Sequence, residues 1–274
     1  MKYMLYFFSF FIFLFGLIIG SFLNCLIWRL HKNETILGRS YCPKCGRQIA
    51  WYDNIPVLSF LILKGKCRSC QKKISWQYPV VELAVGVLFV IAFFLNYESR
   101  IMNYEGGTFG LFIIHNSLFI IQVILDWFVV AVMTIIFIYD LRWYLILDII
   151  TLPACVIVFL LNLALGISWQ NMVISGIIGG SFFLIQFLIS RGKWIGGGDV
   201  RLGLLMGIAL GWPNILVAIF LGYIIGSLVG VVLILTGKKK WGSQVPLGIF
   251  LSTASIITLF WGSKILAWYK GFLF

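Results

Sequence analysis

Two aspartates stand where a hydrophobic chain has least use for them. Asp140 ends the apolar run Trp127–Tyr139, and Asp199 ends Gly196-Gly197-Gly198 and opens the apolar run Val200–Trp212. Only nine of 274 residues are acidic, in a sequence that is 61% hydrophobic. An ionisable side chain at the end of a membrane span is costly to keep there, so it points to function. Two carboxylates are also the minimum equipment for general acid/base hydrolysis, provided they meet. Each also has a plainer use. Asp199 suits a helix N-cap after a glycine-rich turn. Asp140 sits at a helix C-terminus, where the macrodipole disfavours a carboxylate, and an ion pair with Arg142 or a basic loop residue would account for it. Asp148 opens the next apolar run and Glu82 follows Tyr78-Pro79, so both are expected at helix starts. Asp126 lies near the outer end or the middle of a long span and is assigned no role.

The second chemical cluster is made of thiols. Cys42-Pro43-Lys44-Cys45 and Cys67-Arg68-Ser69-Cys70 are separated by 21 residues, close to zinc-ribbon spacing. Four thiolates make a closed structural site and leave no open position for catalysis. Lys44, Arg47, Lys66 and Arg68 would favour thiolates and offset their charge. The alternatives are reduced, unliganded cysteines or a redox pair. Cys25 and Cys155 lie in apolar runs and are expected to be small core residues.

The elements that must position these groups follow from composition. Mean hydropathy is +1.03, and 11% of residues are charged, against about 25% in a soluble domain. The expected fold class is an all-α polytopic membrane protein. Eight spans are expected, at approximately 4–28, 79–96, 117–139, 149–167, 172–190, 200–212, 214–235 and 247–268. The sixth is short enough to be tilted or only partly crossing. Residues 109–116 either extend the third span or lie at the interface. The alternation of outer-membrane strands is absent. The run Tyr3–Ile27 exceeds the roughly 7–15 residues of a signal core, and no A-x-A-like site follows it, so it reads as a retained helix.

Charge sets the orientation. Ten of the 21 Lys and Arg lie between Arg29 and Lys73. With the N-terminus outside, that loop, Arg142, Arg191, Lys193 and Lys238-Lys239-Lys240 all fall inside. Asp140 and Asp199 then lie at cytoplasmic ends of their spans, at similar depth. A net charge of +12 distributed this way suits anionic lipid headgroups and not nucleic acid. Three parts result: a first helix over 1–28, a cytoplasmic zinc-binding loop domain over 29–78, and a membrane-embedded domain over 79–274. The loop domain is too small for a secure core without a staple, which the cysteines supply.

Across nearly its whole length the chain resembles the prepilin peptidases, integral-membrane aspartic proteases of the G-x-G-D class. The resemblance begins at Gly20-Ser21-Phe22-Leu23-Asn24 and continues through Arg39-Ser40-Tyr41-Cys42-Pro43-Lys44-Cys45. It runs on through Trp51-Tyr52-Asp53-Asn54-Ile55-Pro56-Val57-Leu58-Ser59, Gly65-Lys66-Cys67-Arg68-Ser69-Cys70, Ile74-Ser75 and Tyr78-Pro79-Val80-Val81-Glu82. It ends with Asp140, Asp148 and Gly196-Gly197-Gly198-Asp199-Val200-Arg201-Leu202. Each piece is modest alone, and their order and spacing are specific. Ile146-Leu147-Asp148 stands where the family often has Ile-Pro-Asp, and Pro246-Leu247-Gly248 resembles its Pro-Phe-Gly without the Pro that often follows.

The resemblance implies Asp140 and Asp199 as the catalytic pair, with Asp148, Gly196 and Gly198 auxiliary. It implies pilin-like or pseudopilin precursors as substrates, from pilus, competence or secretion systems, cut at the cytoplasmic face of the bacterial inner membrane. The loop holding Cys42, Cys45, Cys67 and Cys70 is associated in the family with a second activity, N-methylation of the new terminus with S-adenosylmethionine as donor. No nucleotide-binding fingerprint shows this independently. The alternatives are a peptidase alone with a docking zinc ribbon, a carboxylate-dependent transporter, and a non-enzymatic anchor presenting a ribbon. A transporter would carry internal repeats and helices broken mid-membrane. An anchor would tolerate loss of both aspartates.

Overall fold

The computed structural model describes residues 2–102, 109–240 and 243–273. Among them the regular structure is helical, apart from two isolated antiparallel bridges, Tyr41–Gln48 and Lys66–Lys73. The helices are α1 (Lys2–Lys32), α2 (Leu58–Ile62), α3 (Gln77–Met102), α4 (Phe109–Trp143), α5 (Asp148–Ala164), α6 (Trp169–Ser190), α7 (Gly197–Leu210), α8 (Asn214–Leu235) and α9 (Leu247–Leu273), with a 3₁₀ turn at Trp51–Asn54. A helix occupies each expected span, because in lipid the backbone must satisfy its own hydrogen bonds. Residues 109–116 continue the helix of the third span. Six helices, α1, α3, α4, α6, α8 and α9, are long and apolar enough to cross a membrane. The chain is a multi-pass membrane protein. The apolar α5 has 17 residues and α7 has 14, both shorter than those six.

The chain packs as two units, Met1–Ser99 and Arg100–Phe274. In the first, α1 and α3 meet backbone to backbone. A Cβ on Gly16 would stand 2.7 Å from the Gly86 Cα, and one on Gly20 would stand 2.7 Å from the Glu82 Cα. Small residues at four-residue spacing allow this approach, as is usual where lipid supplies no hydrophobic drive between helices. Arg29, buried near the end of α1, donates to the carbonyls of Ile36, Gly38 (2.8 Å) and Arg39 (3.2 Å), and so folds the loop back on its helix.

The second unit holds the larger core, built from fully buried Met133 (α4), Phe183 (α6), Leu202, Leu205 and Met206 (α7), Ile215 (α8) and Leu251 (α9). Its tightest seam joins α6 to α7. A Cβ on Gly179 would stand 2.2 Å from the Gly203 carbonyl oxygen, and one on Gly207 would stand 2.1 Å from that of Ser175. The two backbones therefore touch, which fixes how far α7 slides along α6.

Several acidic residues behave differently from their sequence-level reading. The cap of α5 is Leu147, with no side-chain cap bond, and the Asp148 carboxylate instead pairs with Arg201 of α7. Glu82 is not at the start of α3 but a full turn inside it, and buried. It accepts from the Val57 N–H (2.8 Å) and from the Ser21 side chain, so it tethers the loop to the α1–α3 pair. Asp126 is buried at the middle of α4, where it accepts from Gln122 at 3.0 Å. Cys155 is buried in the core as expected, whereas Cys25 is only partly buried.

Candidate active site and metal centre

Asp140 and Asp199 come together at one end of the second unit. Asp140 lies in the last turn of α4 and Asp199 in the first turn of α7, and both are buried. Ile146 lies against both Gly198, next to Asp199, and Gly248, which stands at Asp140 Oδ2. Among the described residues neither aspartate is paired with a cation, so the plainer account of Asp140, an ion pair with Arg142 or a basic loop residue, is not found. Arg142 instead lies over the Trp143 ring.

Each carboxylate is held by backbone. Asp140 Oδ2 accepts from the Ile249 N–H at 3.2 Å, and the Gly248 N–H adds a second bond. Both donors belong to the first turn of α9, whose positive end offsets the unfavourable end of α4. Asp199 Oδ2 accepts from the Gly196 N–H at 2.9 Å, while the Asp199 N–H donates to the Gly196 carbonyl at 3.1 Å. Asp199 is thus the third residue of its helix and closes the first turn from inside, rather than capping it.

The glycines make room for this. A Cβ on Gly248 would stand 2.7 Å from Asp140 Oδ2. One on Gly198 would stand 2.8 Å from the Cβ of Ile146, in the α4–α5 link, and the Ile146 side chain also reaches Gly248. Ile146 therefore wedges between the elements that carry the two aspartates. Nothing lies within 4 Å of a Cβ on Gly197, and one on Gly196 would make only ordinary contact with Asp199. Gly248, Ile249 and Ile146 were not singled out from the sequence. Pro246-Leu247-Gly248 was the available signal, since a Pro-x-Gly at a helix start marks close backbone approach.

The four cysteines also meet. Their sulfurs all lie within 4.8 Å of one another. The loop folds as two copies of one knuckle, 25 residues apart. Cys42 N–H donates to Arg47 and Cys67 N–H to Lys72. Gly46 donates back to Cys42 and Gln71 to Cys67. Ile49 donates to Ser40 and Ile74 to Gly65. The sharp return of each knuckle needs positive φ, found at Gly46 (70°) and Gln71 (57°). The knuckles are tied together by Lys44 Nζ to the Lys73 carbonyl (3.2 Å). A two-pronged ion pair from Arg68 to Asp53 (2.7 Å each) fixes the second knuckle to the 3₁₀ turn and holds the Asp53 carboxyl below its ordinary range.

The donor set fits a metal ion. Tetrahedral thiolate coordination with bonds of about 2.3 Å sets sulfurs about 3.8 Å apart, and Cys42 Sγ and Cys70 Sγ are 4.0 Å apart. The Cys70 and Ser69 N–H groups lower the Cys67 thiol to about 7. Against the pull of the Arg47 N–H, burial and the neighbouring Cys42 and Cys70 thiols push Cys45 up to about 11. Thiols this crowded ionise together only around a cation.

Comparison with known proteins identifies the family. Residues 14–96 match the bacterial peptidase A24 N-terminal domain, and residues 127–231 match the type IV leader peptidase family. Proteins named prepilin leader peptidase/N-methyltransferase are similar over most of their length. The one from Aeromonas salmonicida (strain A449) is 31% identical, covering 94% of this chain and 92% of its own. The one from Bacillus subtilis (strain 168) is 31% identical, covering 94% and 96%. The one from Vibrio cholerae is 34% identical, covering 72% and 75%. No solved structure gives a significant match. On identity sustained over nearly the whole chain, this protein belongs to the type IV leader peptidase family of enzymes.

Proposed function

We propose that the chain is an aspartic endopeptidase that removes the leader from type IV prepilin-like precursors, with Asp140 and Asp199 as its catalytic pair. One observation carries this reading: two buried carboxylates from α4 and α7 are each held by backbone N–H and by no cation, with Ile146 packed against the turns that carry both. Two such groups share a proton more readily than both ionise. The ionised member activates water for attack on the scissile carbonyl. The protonated member supports the carbonyl oxygen and then protonates the leaving amine, so no covalent enzyme intermediate is needed. Base and acid roles belong to the pair rather than to either residue. Gly198 serves by admitting Ile146 against the first turn of α7, and Gly196 by donating its N–H to the Asp199 carboxylate. Asp148 serves through Arg201, two residues after Asp199.

The basic loops support cytoplasmic placement of this end, in the bacterial inner membrane, with α5 and α7 as short crossings in a total of eight. The precursor's leader stays in the cytosol and its hydrophobic helix enters sideways between spans. The loop domain over 29–78 carries its own chemistry and is tied to α1 and α3 through Arg29 and Glu82, while the peptidase chemistry belongs to the membrane-embedded domain over 79–274. Cys42, Cys45, Cys67 and Cys70 would hold zinc as a structural ion, which supplies folding energy to the loop. The relatives' names support N-methylation of the new terminus, for which S-adenosylmethionine would supply the methyl group. No residues are assigned to that donor. A peptidase with the ribbon as a docking element is the second reading, favoured by exposed Leu37, Trp51 and Trp76 on the loop.

The test gives purified full chain in lipid nanodiscs a pilin-like precursor, and follows its new N-terminus and any added methyl group by mass spectrometry. Cleavage by the wild type and none by Asp140→Asn or Asp199→Asn is expected. A wild type that leaves the precursor intact overturns the reading.

A further inference from the structure

A hydrogen-bonded polar pair lies on α6 and α8, the helices that flank the start of α7. The Tyr223 hydroxyl on α8 donates to Gln186 Oε1 on α6 at 2.8 Å. The Gln186 amide nitrogen has only a longer bond to its own helix, at the Phe182 carbonyl (3.3 Å). The Tyr223 ring lies parallel to Phe183 (centroids 6.5 Å, 11°) and edge-on to Phe182 (5.8 Å, 89°). Phe183 is fully buried, and a Cβ on Gly203 would stand 2.5 Å from its ring. Gly203 is one helical turn beyond Asp199, so the Tyr223–Phe183 stack packs against the helix that carries Asp199. The aromatic stack thus holds a phenol at the depth of the proposed dyad.

Polar groups at membrane depth are costly unless they serve something. These are not core groups, since Tyr223 is 36% exposed and Gln186 is partly exposed. Their hydrogen-bonding capacity is not used up. The Tyr223 oxygen can still accept, the amide has a second N–H, and its oxygen has a second lone pair. A primary amide matches a peptide unit donor for acceptor. A peptide opened for cleavage at membrane depth has main-chain N–H and C=O groups that lipid cannot satisfy.

We propose that Gln186 and Tyr223 form a hydrogen-bonding subsite that receives the main chain of the substrate next to the scissile bond, on the α6–α8 side of Asp199. This rests on the peptidase reading above. Neither residue takes part in proton transfer. They hold the extended segment against Asp199.

The experiment uses full chain in nanodiscs and an uncleaved pilin-like precursor. Tyr223→Phe keeps the ring stack and removes the hydroxyl, Gln186→Met keeps the volume and removes the amide, and Tyr269→Phe, exposed near the end of α9, serves as control. Binding is measured in an Asp199→Asn background, which holds the precursor without cutting it. Loss of one such bond predicts about threefold to tenfold weaker binding for either variant. Cleavage by the same variants with Asp199 intact should show a matching rise in KM and an unchanged kcat, because binding is lost and chemistry is not. The control should equal its parent. Wild-type-like binding and cleavage by both variants overturns the subsite and leaves the peptidase reading standing. A fall in kcat with unchanged KM and binding also overturns it, by moving Tyr223 into the chemistry. Failure of the wild type to cut the precursor overturns the peptidase reading, and the subsite falls with it.

Discussion

The Asp140 carboxylate accepts a hydrogen bond from the Ile249 N–H at 3.2 Å, so the last turn of α4 is closed by the first turn of α9. Residues 109 positions apart in the chain thereby set one of the two acids. A carboxylate at the end of α4 faces its own helix dipole unfavourably, and the incoming α9 reverses that field. Asp199 has the same kind of anchor within its own helix, from Gly196. Both acids are thus oriented by helix N-termini and not by side-chain cations.

The first prediction concerns the pair itself. Asn keeps the oxygen that accepts from Ile249 or Gly196 and cannot exchange a proton as an acid does. Asp140→Asn and Asp199→Asn should therefore fold and insert normally while cleavage falls on the order of 10²–10⁴-fold. Circular dichroism and a timed cleavage assay check the two halves. Near-wild-type cutting by either variant would remove that residue from the pair.

The glycines around the site should differ sharply. Gly248→Ala places a methyl 2.7 Å from Asp140 Oδ2, and Gly198→Ala places one 2.8 Å from the Ile146 Cβ. Each must push an aspartate-bearing element aside, and activity should fall at least about tenfold, since small misplacements are costly in catalysis. Gly197→Ala meets nothing within 4 Å, and should alter stability by no more than about 0.5 kcal/mol and activity little. Equal losses at positions 197 and 248 would mean that crowding at Asp140 is not the cause.

This contrast also marks what the sequence could reveal. The positions of the helices and the cysteine cluster were legible, because apolar length and C-x-x-C spacing are local signals, and the charge bias put both aspartates at the same kind of span end. The partners of the acids were not. Glu82 reads as a helix start from Tyr78-Pro79, yet it binds Val57, brought back by the folded loop. Asp148 reads as a cap, yet it pairs with Arg201 on another helix. Gly248 and Ile249 carry no charge, so only contact across the fold reveals that they hold Asp140.

The Asp148–Arg201 pair gives a graded test. Both side chains are nearly half exposed, and such pairs are worth about 0–1 kcal/mol. Asp148→Asn should reduce cleavage less than tenfold. An Asp148→Arg, Arg201→Asp double exchange should recover more activity than either single change, read in the same cleavage assay. Total loss in Asp148→Asn, equal to that in Asp140→Asn, would put Asp148 in the chemistry itself.

Metal should hold the two knuckles. The full chain purified without chelator should contain about one zinc per molecule. Stripping the metal should expose the amides of Cys42, Ile49, Cys67 and Ile74 to hydrogen exchange, because those N–H groups close the knuckles onto Arg47, Ser40, Lys72 and Gly65. The amides of α6 and α7 should keep their protection in the same experiment. Cys42→Ser and Cys67→Ser should behave as the stripped protein does. Full protection of those four amides without metal would make the knuckles self-supporting and the thiols free for another use.

The depth of Asp199 should depend on the seam between α6 and α7. Gly203 is one turn from Asp199, and a Cβ there would stand 2.5 Å from the Gly179 carbonyl oxygen and 2.5 Å from the Phe183 ring. A carbonyl oxygen cannot rotate away as a side chain can, so Gly203→Ala must separate the helices or slide one along the other. Overpacking of this kind costs about 1–3 kcal/mol, and here the shift also carries Asp199 away from Asp140. Thermal stability and cleavage should therefore fall together. Gly230→Ala on α8 meets nothing within 4 Å and should leave both intact. At Gly207, two turns from Asp199, a Cβ would stand 2.1 Å from the Ser175 carbonyl oxygen. Gly207→Ala should thus lower stability at least as much as Gly203→Ala and lower cleavage less, because the separation it forces lies farther from the acids. The ratio of activity loss to stability loss across the two variants is the informative quantity. If both variants lose cleavage strictly in proportion to stability, the seam holds the fold and does not set the position of Asp199.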